Sequence, residues 1–100
     1  MGDWGVRAVP PELAAHYRAS GWWTDDSVGK VLADGLAAHP IQSLRFFSEA
    51  RPYHGTFADG AAMAQRVAGA LVARGVGAGD PVAFWMSNQV EAAATFWGAA

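Results

Sequence analysis

The sequence predicts an α/β fold that is part of something larger, with helices, a small β-hairpin and one parallel-type strand. Three observations predict it. Apolar residues recur at helical spacing in several segments punctuated by Gly and Pro. Two short strand-compatible segments flank a turn between Ile41 and Thr56. The run Val82-Ala83-Phe84-Trp85-Met86 is apolar without a break, the pattern of a strand covered on both faces.

The elements follow in order. Residues 1–10 show no period and read as a loose arm, with Val9 the last residue before the Pro pair. Pro10-Pro11 opens a helix over Pro11–Ala19, since the N–H that Pro lacks has no partner at a first helical position. Ser20-Gly21 stops it, and Trp22-Trp23 follow in a loop. Thr24-Asp25-Asp26-Ser27 reads as the next helix start, with Thr24 as cap and both carboxylates at the positive end of the dipole. Val28, Val31, Leu32 and Leu36 form its apolar stripe, and His39-Pro40 ends it.

Ile41–Ser48 is a strand candidate, Glu49–Pro52 a turn, and Tyr53–Thr56 the return strand. Thr56 then caps a long helix, Phe57–Arg74, whose inner face carries Phe57, Ala61, Ala64, Ala68 and Leu71. Gly75 to Pro81 is a turn-rich connection into the Val82–Met86 strand. Ser87-Asn88 offers a cap, and Gln89–Ala100 reads as a crossover helix. The parallel strand that would complete a right-handed βαβ unit does not follow, so the unit is expected to continue in further polypeptide.

Composition narrows the classes. With 100 residues, 52% hydrophobic and 16% charged, the chain is too apolar for disorder and holds one modest core. Seven basic residues against nine acidic leave −2, so the basic excess of a nucleic-acid binder is missing. No Cys is present, which removes disulfides, thiolate chemistry and Cys-type zinc sites. The uncharged run Pro81–Val90 spans ten residues, half of what a membrane span of about 20 requires. No signal-peptide pattern opens the chain, and a cytoplasmic protein with no membrane span and no nucleic-acid partner is expected.

Two ordered stretches resemble the N-terminus of the adenylate-forming enzymes, the acyl- and aryl-CoA synthetases and aryl-acid AMP ligases. The first is Tyr17-Arg18-Ala19-Ser20-Gly21-Trp22-Trp23-Thr24-Asp25 with a helix ending Ala37-Ala38-His39-Pro40. The second runs from Thr56-Phe57-Ala58-Asp59 through Val67–Leu71 to Arg74-Gly75-Val76-Gly77-Ala78-Gly79-Asp80-Pro81-Val82-Ala83. Asn88 and Glu91 stand where that pattern has an Asn-containing loop and a Glu-bearing helix. The likeness covers about Glu12 to Ala100 and rests on the order of several weak motifs. Two positions depart from it: the long helix opens Phe57-Ala58-Asp59-Gly60 where the family has Tyr-x-Glu-Leu, and Ser87 replaces a Pro.

The resemblance implies a parent ligase, active in areas such as fatty acid metabolism. It would use ATP and Mg²⁺ to turn a small carboxylic acid into an acyl-adenylate and pass it to coenzyme A or another thiol. The family's phosphate loop, Mg²⁺ acid and mobile Lys all lie further along the chain. Residues 11–100 would then be the incomplete first part of the large N-terminal domain. They would bind no cofactor and no metal, contribute no catalytic residue, and pack against the remainder of their own polypeptide. The second reading is a complete small non-catalytic α/β interaction or dimerisation domain, in which Phe84, Trp85, Phe96 and Trp97 bury against a copy or a partner.

Candidate site residues divide the same way. Gly75, Gly77 and Gly79 fail G-x-G-x-x-G, because Asp80 holds the last position, and they follow a helix instead of a strand. They read as a helix stop and turn. His16, His39 and His54 lack ligand spacing, and His39 reads as a helix end. Trp22-Trp23 read as a surface cover for the core, Trp85 and Trp97 as core, and Asp25-Asp26 as a helix first turn in place of a metal pair.

Overall fold

The computed structural model describes residues 7–100. Among them the chain forms α1 (Pro11–Ala19), α2 (Val28–Ala38), β1 (Ser43–Phe46), β2 (Tyr53–Thr56), α3 (Phe57–Ala73) and α4 (Val90–Ala99). Part of the expected N-terminal arm, residues 1–6, lies outside the described residues, and residues 7–10 are irregular and exposed.

Local chemistry sets most boundaries. Pro11 occupies the first position of α1 as expected. Both α1 and α3 close in the same way. Trp22 N–H donates to Tyr17 and Gly21 N–H to Arg18, while Val76 N–H donates to Leu71 and Gly75 N–H to Val72. That double closure needs a left-handed residue after the cap, and Gly21 (φ 72°) and Gly75 (φ 83°) supply it. Thr56 opens α3 with a capping box. Its Oγ1 accepts from Asp59 N–H at 3.2 Å, and Asp59 Oδ2 accepts from Thr56 N–H at 2.8 Å.

The hairpin is antiparallel, with Ser43↔Thr56, Leu44↔Gly55, Arg45↔His54 and Phe46↔Tyr53 in register. Leu44 and Phe46 turn inward while Ser43 and Arg45 face out. Helices α2, α3 and α4 form one layer, and the hairpin packs on α3. Small residues let the helices approach closely. A Cβ on Gly98 of α4 would lie 2.6 Å from the Ala64 carbonyl oxygen and 2.7 Å from Val67 Cβ of α3. A Cβ on Gly60 would meet Leu44 Cδ2 at 3.0 Å and the Trp97 ring at 3.1 Å. The buried apolar side chains are only Leu36, Ala64, Val90 and Ala94 among the described residues, and none of them is sealed completely from solvent.

Several sequence expectations are corrected. The largest is the parallel-type strand: Val82–Met86 is not a strand. A strand exists only against a partner, and the two strands among the described residues are already paired with each other. Trp85, expected in the core, is 101% exposed. The start of α2 is Ser27, whose Oγ accepts from Lys30 N–H at 3.1 Å. Thr24 instead engages Asp26, so Asp25 and Asp26 precede the helix and do not form its first turn. Val28 and Val31 of the expected stripe remain 60% and 58% exposed. Gln89, not Ser87-Asn88, is the N-cap of α4, without a side-chain cap bond.

The result is an open molecule. Its surface is 7550 Å², where a compact protein of this mass exposes about 5,400 Å². Its radius of gyration is 16.4 Å, against about 13 Å for a compact 100-residue domain.

Candidate interaction surface

An apolar ribbon without a partner strand, Val82–Met86, connects α3 and α4. Its N-terminal end is fixed by the Gly75 closure and by a second turn, in which Asp80 N–H donates to the Gly77 carbonyl at 3.1 Å and Asp80 Oδ2 accepts from Gly77 N–H at 2.8 Å. Its C-terminal end is clasped to the hairpin. Asn88 Nδ2 donates to the Phe47 carbonyl at 3.1 Å, and Arg51 of the hairpin turn pairs with Glu91 in the first turn of α4. The other Glu91 carboxylate oxygen is buried without a hydrogen bond. Between these anchors, residues 81–87 make no backbone–backbone hydrogen bond among the described residues.

Alternate residues of the ribbon turn toward α4. Val82 and Phe84 line a hollow of about 240 Å³ with Phe96, Ala99 and Ala100 of α4. Trp85, one step out of phase, points wholly into solvent. Phe84 (43%), Met86 (39%) and Phe96 (50%) leave much of their surface in water beside it. Aromatic anchors of this kind dominate the energetics of interfaces.

The other candidates have structural employment. Gly75 ends α3, and Asp80 closes the turn after it, as the helix-stop reading expects. His39 caps the end of α2. The His54 ring meets Ser43 Oγ at 3.0 Å across the hairpin, on the exposed side. His16 stacks edge-on against Trp22, and Tyr17 packs against both Trp22 and Trp23, at ring separations of 5.5–5.7 Å and 5.1 Å. This aromatic knot, braced by Arg18–Asp25 at 2.7 Å, is built within α1 and the loop after it, so the tryptophan pair covers Tyr17 and not the main core. Lys30 joins Asp34 and Asp26, and its hydrogen bond to Asp34, then the Asp34 charge, holds its ammonium above the ordinary value. No group of three metal-capable side chains occurs among the described residues. No helix among them is long and apolar enough to cross a membrane.

A shallow apolar groove of about 210 Å³ lies between α2, α3 and α4, floored by Leu36, Ala64 and Trp97. It contains no charged side chain. Sequence reasoning noted Asn88 and Glu91 by position but missed the clasp they form with the hairpin, because their partners lie roughly forty residues away in the chain.

Comparison with known proteins places these features beside one relative. The chain is 33% identical over 86 residues to the salicyl-AMP ligase / salicyl-S-ArCP synthetase of Mycobacterium tuberculosis (strain H37Rv). The match takes in 84% of this chain and 15% of that protein, so the chain spans a small part of the relative's length. No family model matches the chain. No solved structure matches it either.

The first departure from the adenylate-forming pattern, at the opening of α3, has a physical account at two positions, and the Ser87 departure has none in the structure. At the third helical position Asp59 completes the capping box that a Glu could also complete. At the fourth, Gly60 leaves space that the Leu44 methyl and the Trp97 ring occupy.

Proposed function

We propose that this chain is the N-terminal structural segment of an ATP-dependent ligase that activates a carboxylic acid as an acyl-adenylate and passes it to a thiol. The similarity to the salicyl-AMP ligase, spread over most of the chain, carries this reading. The ligase chemistry needs donors and cations gathered around phosphate oxygens, where charge develops during transfer. The residues here do not fit that task. The glycine cluster follows a helix, and the single Lys is held by two aspartates. ATP, Mg²⁺ and the acceptor thiol would be bound by later parts of the parent, and these hundred residues would act as scaffold. The ribbon Val82–Met86 would enter the parent's sheet, with Asn88 and Glu91 fixing its exit.

The test is acid-dependent ATP–pyrophosphate exchange, with aryl acids tried first because of the relative's printed activity. The 100-residue chain is expected to give none, and the chain extended along its natural reading frame is expected to give exchange. Exchange by the short chain, or a stop codon directly after Ala100, overturns the reading. A stop codon would favour the second reading, a small non-catalytic interaction domain, for which the exposed Phe84, Trp85 and Phe96 speak.

A further inference from the structure

We propose that the turn end of the hairpin binds a small phosphate monoester carrying an aromatic ring, with Arg45 and His54 on the phosphate and Phe47 on the ring. A hollow of about 290 Å³ opens there, and Arg45, Phe47, Pro52 and His54 contribute to its wall. Small-molecule sites run from about 300 to 1,000 Å³, so a ligand held here is small. Strand register brings the two donors together. Arg45 stands directly opposite His54, and both are on the exposed side of the hairpin. Phe57 N–H donates to the Gln42 carbonyl at 2.9 Å, which makes those two a hydrogen-bonded pair. Bonded and non-bonded pairs alternate along an antiparallel ladder. Arg45 and His54 are therefore a non-bonded pair, the type in which side chains approach most closely.

The basic groups here lack an acid. Arg18, Lys30 and Arg51 each hold a carboxylate, whereas Arg45 makes no ion pair among the described residues. Ser43 Oγ holds the imidazole through Nε2 at 3.0 Å, and Nδ1 has no hydrogen-bond partner among the described residues. A guanidinium and an imidazolium directly opposite one another repel, and an anion bound between them removes that cost. The donor set also selects the anion. The guanidinium fork engages two oxygens side by side. A carboxylate has only those two, whereas a phosphate monoester keeps a third for the imidazole N–H. Its fourth oxygen carries the ester group. Phe47, 82% exposed, offers a ring face to an aromatic substituent in the same hollow. The inference does not depend on the ligase reading, since binding at the hairpin is measured without turnover.

Amide chemical shifts of the 100-residue chain, followed at constant ionic strength while phenyl phosphate is added, test it. Saturable shifts at Arg45, Phe47 and His54 are expected, with a dissociation constant on the order of 1 mM. Inorganic phosphate, which lacks the ring, should bind the same residues roughly three- to tenfold more weakly. Arg45→Gln is expected to weaken both probes at least about tenfold. Arg66→Gln, an exposed arginine on α3, should change neither. Phe47→Ser should bring phenyl phosphate to the constant of inorganic phosphate and leave the latter unchanged. No saturation by about 20 mM phenyl phosphate, far above the expected constant, overturns the proposal. Equal losses from Arg45→Gln and Arg66→Gln also overturn it, because they would reduce binding to general attraction of anions. If Arg45→Gln disturbs the hairpin, the effect of Phe47→Ser on the two probes decides alone.

Discussion

The close approach of α4 to α3 makes a sharp prediction about a single methyl group. Gly98 and Gly69 are both helical glycines with negative φ, so both tolerate Ala by backbone conformation. Their surroundings differ. At Gly69 nothing lies within 4 Å of a built Cβ, whereas at Gly98 the Cβ would stand 2.6 Å from the Ala64 carbonyl oxygen. Ordinary contact begins near 3.4 Å, so α4 must retreat from α3 by about 0.8 Å. Val67 can turn aside, but the Ala64 carbonyl belongs to the α3 backbone. A gap of that size forfeits roughly a quarter to a half of the dispersion energy of each atom pair it separates. The pairs at risk surround Ala94 (3% exposed) and Val90 (6%), half of the short buried set. Overpacking of this kind costs about 1–3 kcal/mol, and the helix-propensity gain of up to about 1 kcal/mol is small in a last turn. Gly98→Ala is therefore expected to destabilise by about 1–2 kcal/mol and lower Tm by roughly 5–15 °C. Gly69→Ala should stabilise by up to about 1 kcal/mol. Thermal melts followed by far-UV ellipticity at fixed protein concentration check both. If Gly98→Ala raises Tm as Gly69→Ala does, the close α3–α4 packing is wrong.

Two further outcomes are expected. Thr56→Ala removes one half of the capping box and leaves the Asp59 N–H without its acceptor, so stability should fall by about 1 kcal/mol in urea melts; an unchanged midpoint would show that the box contributes nothing. Lys30, exposed and paired with Asp34, has its folded-state value raised, so its contribution is complete below its ordinary value of 10.5 and is lost as pH rises through the higher folded value. Between about pH 10 and 12 the native chain should lose more α2 helicity than Asp34→Asn does, and the difference should shrink in about 1 M salt; identical curves would remove the pairing.

What could be read from the chain was what neighbours in sequence decide. Pro11 at a first position, Gly21 and Gly75 after helix ends, and Thr56 three residues before Asp59 each act within one turn, and α1, β2 and α3 fall within a residue of expectation. The start of α2 was misread where two local signals competed. Ser27 and Thr24 can both cap, and the Asp26 carboxylate occupies Thr24. The ribbon shows the limit of pattern reading. Val82–Met86 has the composition of a buried strand, yet a strand is a relation between two segments, and no second segment is at hand. The Asn88–Phe47 and Glu91–Arg51 clasp was illegible for the same reason, since only the fold brings those pairs together.

The aromatic knot at α1 bears on how any unfolding experiment on this protein is interpreted. Trp22 and Trp23 report on Tyr17 and His16, Trp97 reports on the seat at Gly60, and Trp85 is already hydrated. Indole emission therefore sums several environments that need not melt together. A fluorescence transition displaced from the ellipticity transition would register the release of α1 and its loop, and would not by itself signify a partly folded state of the three-helix layer.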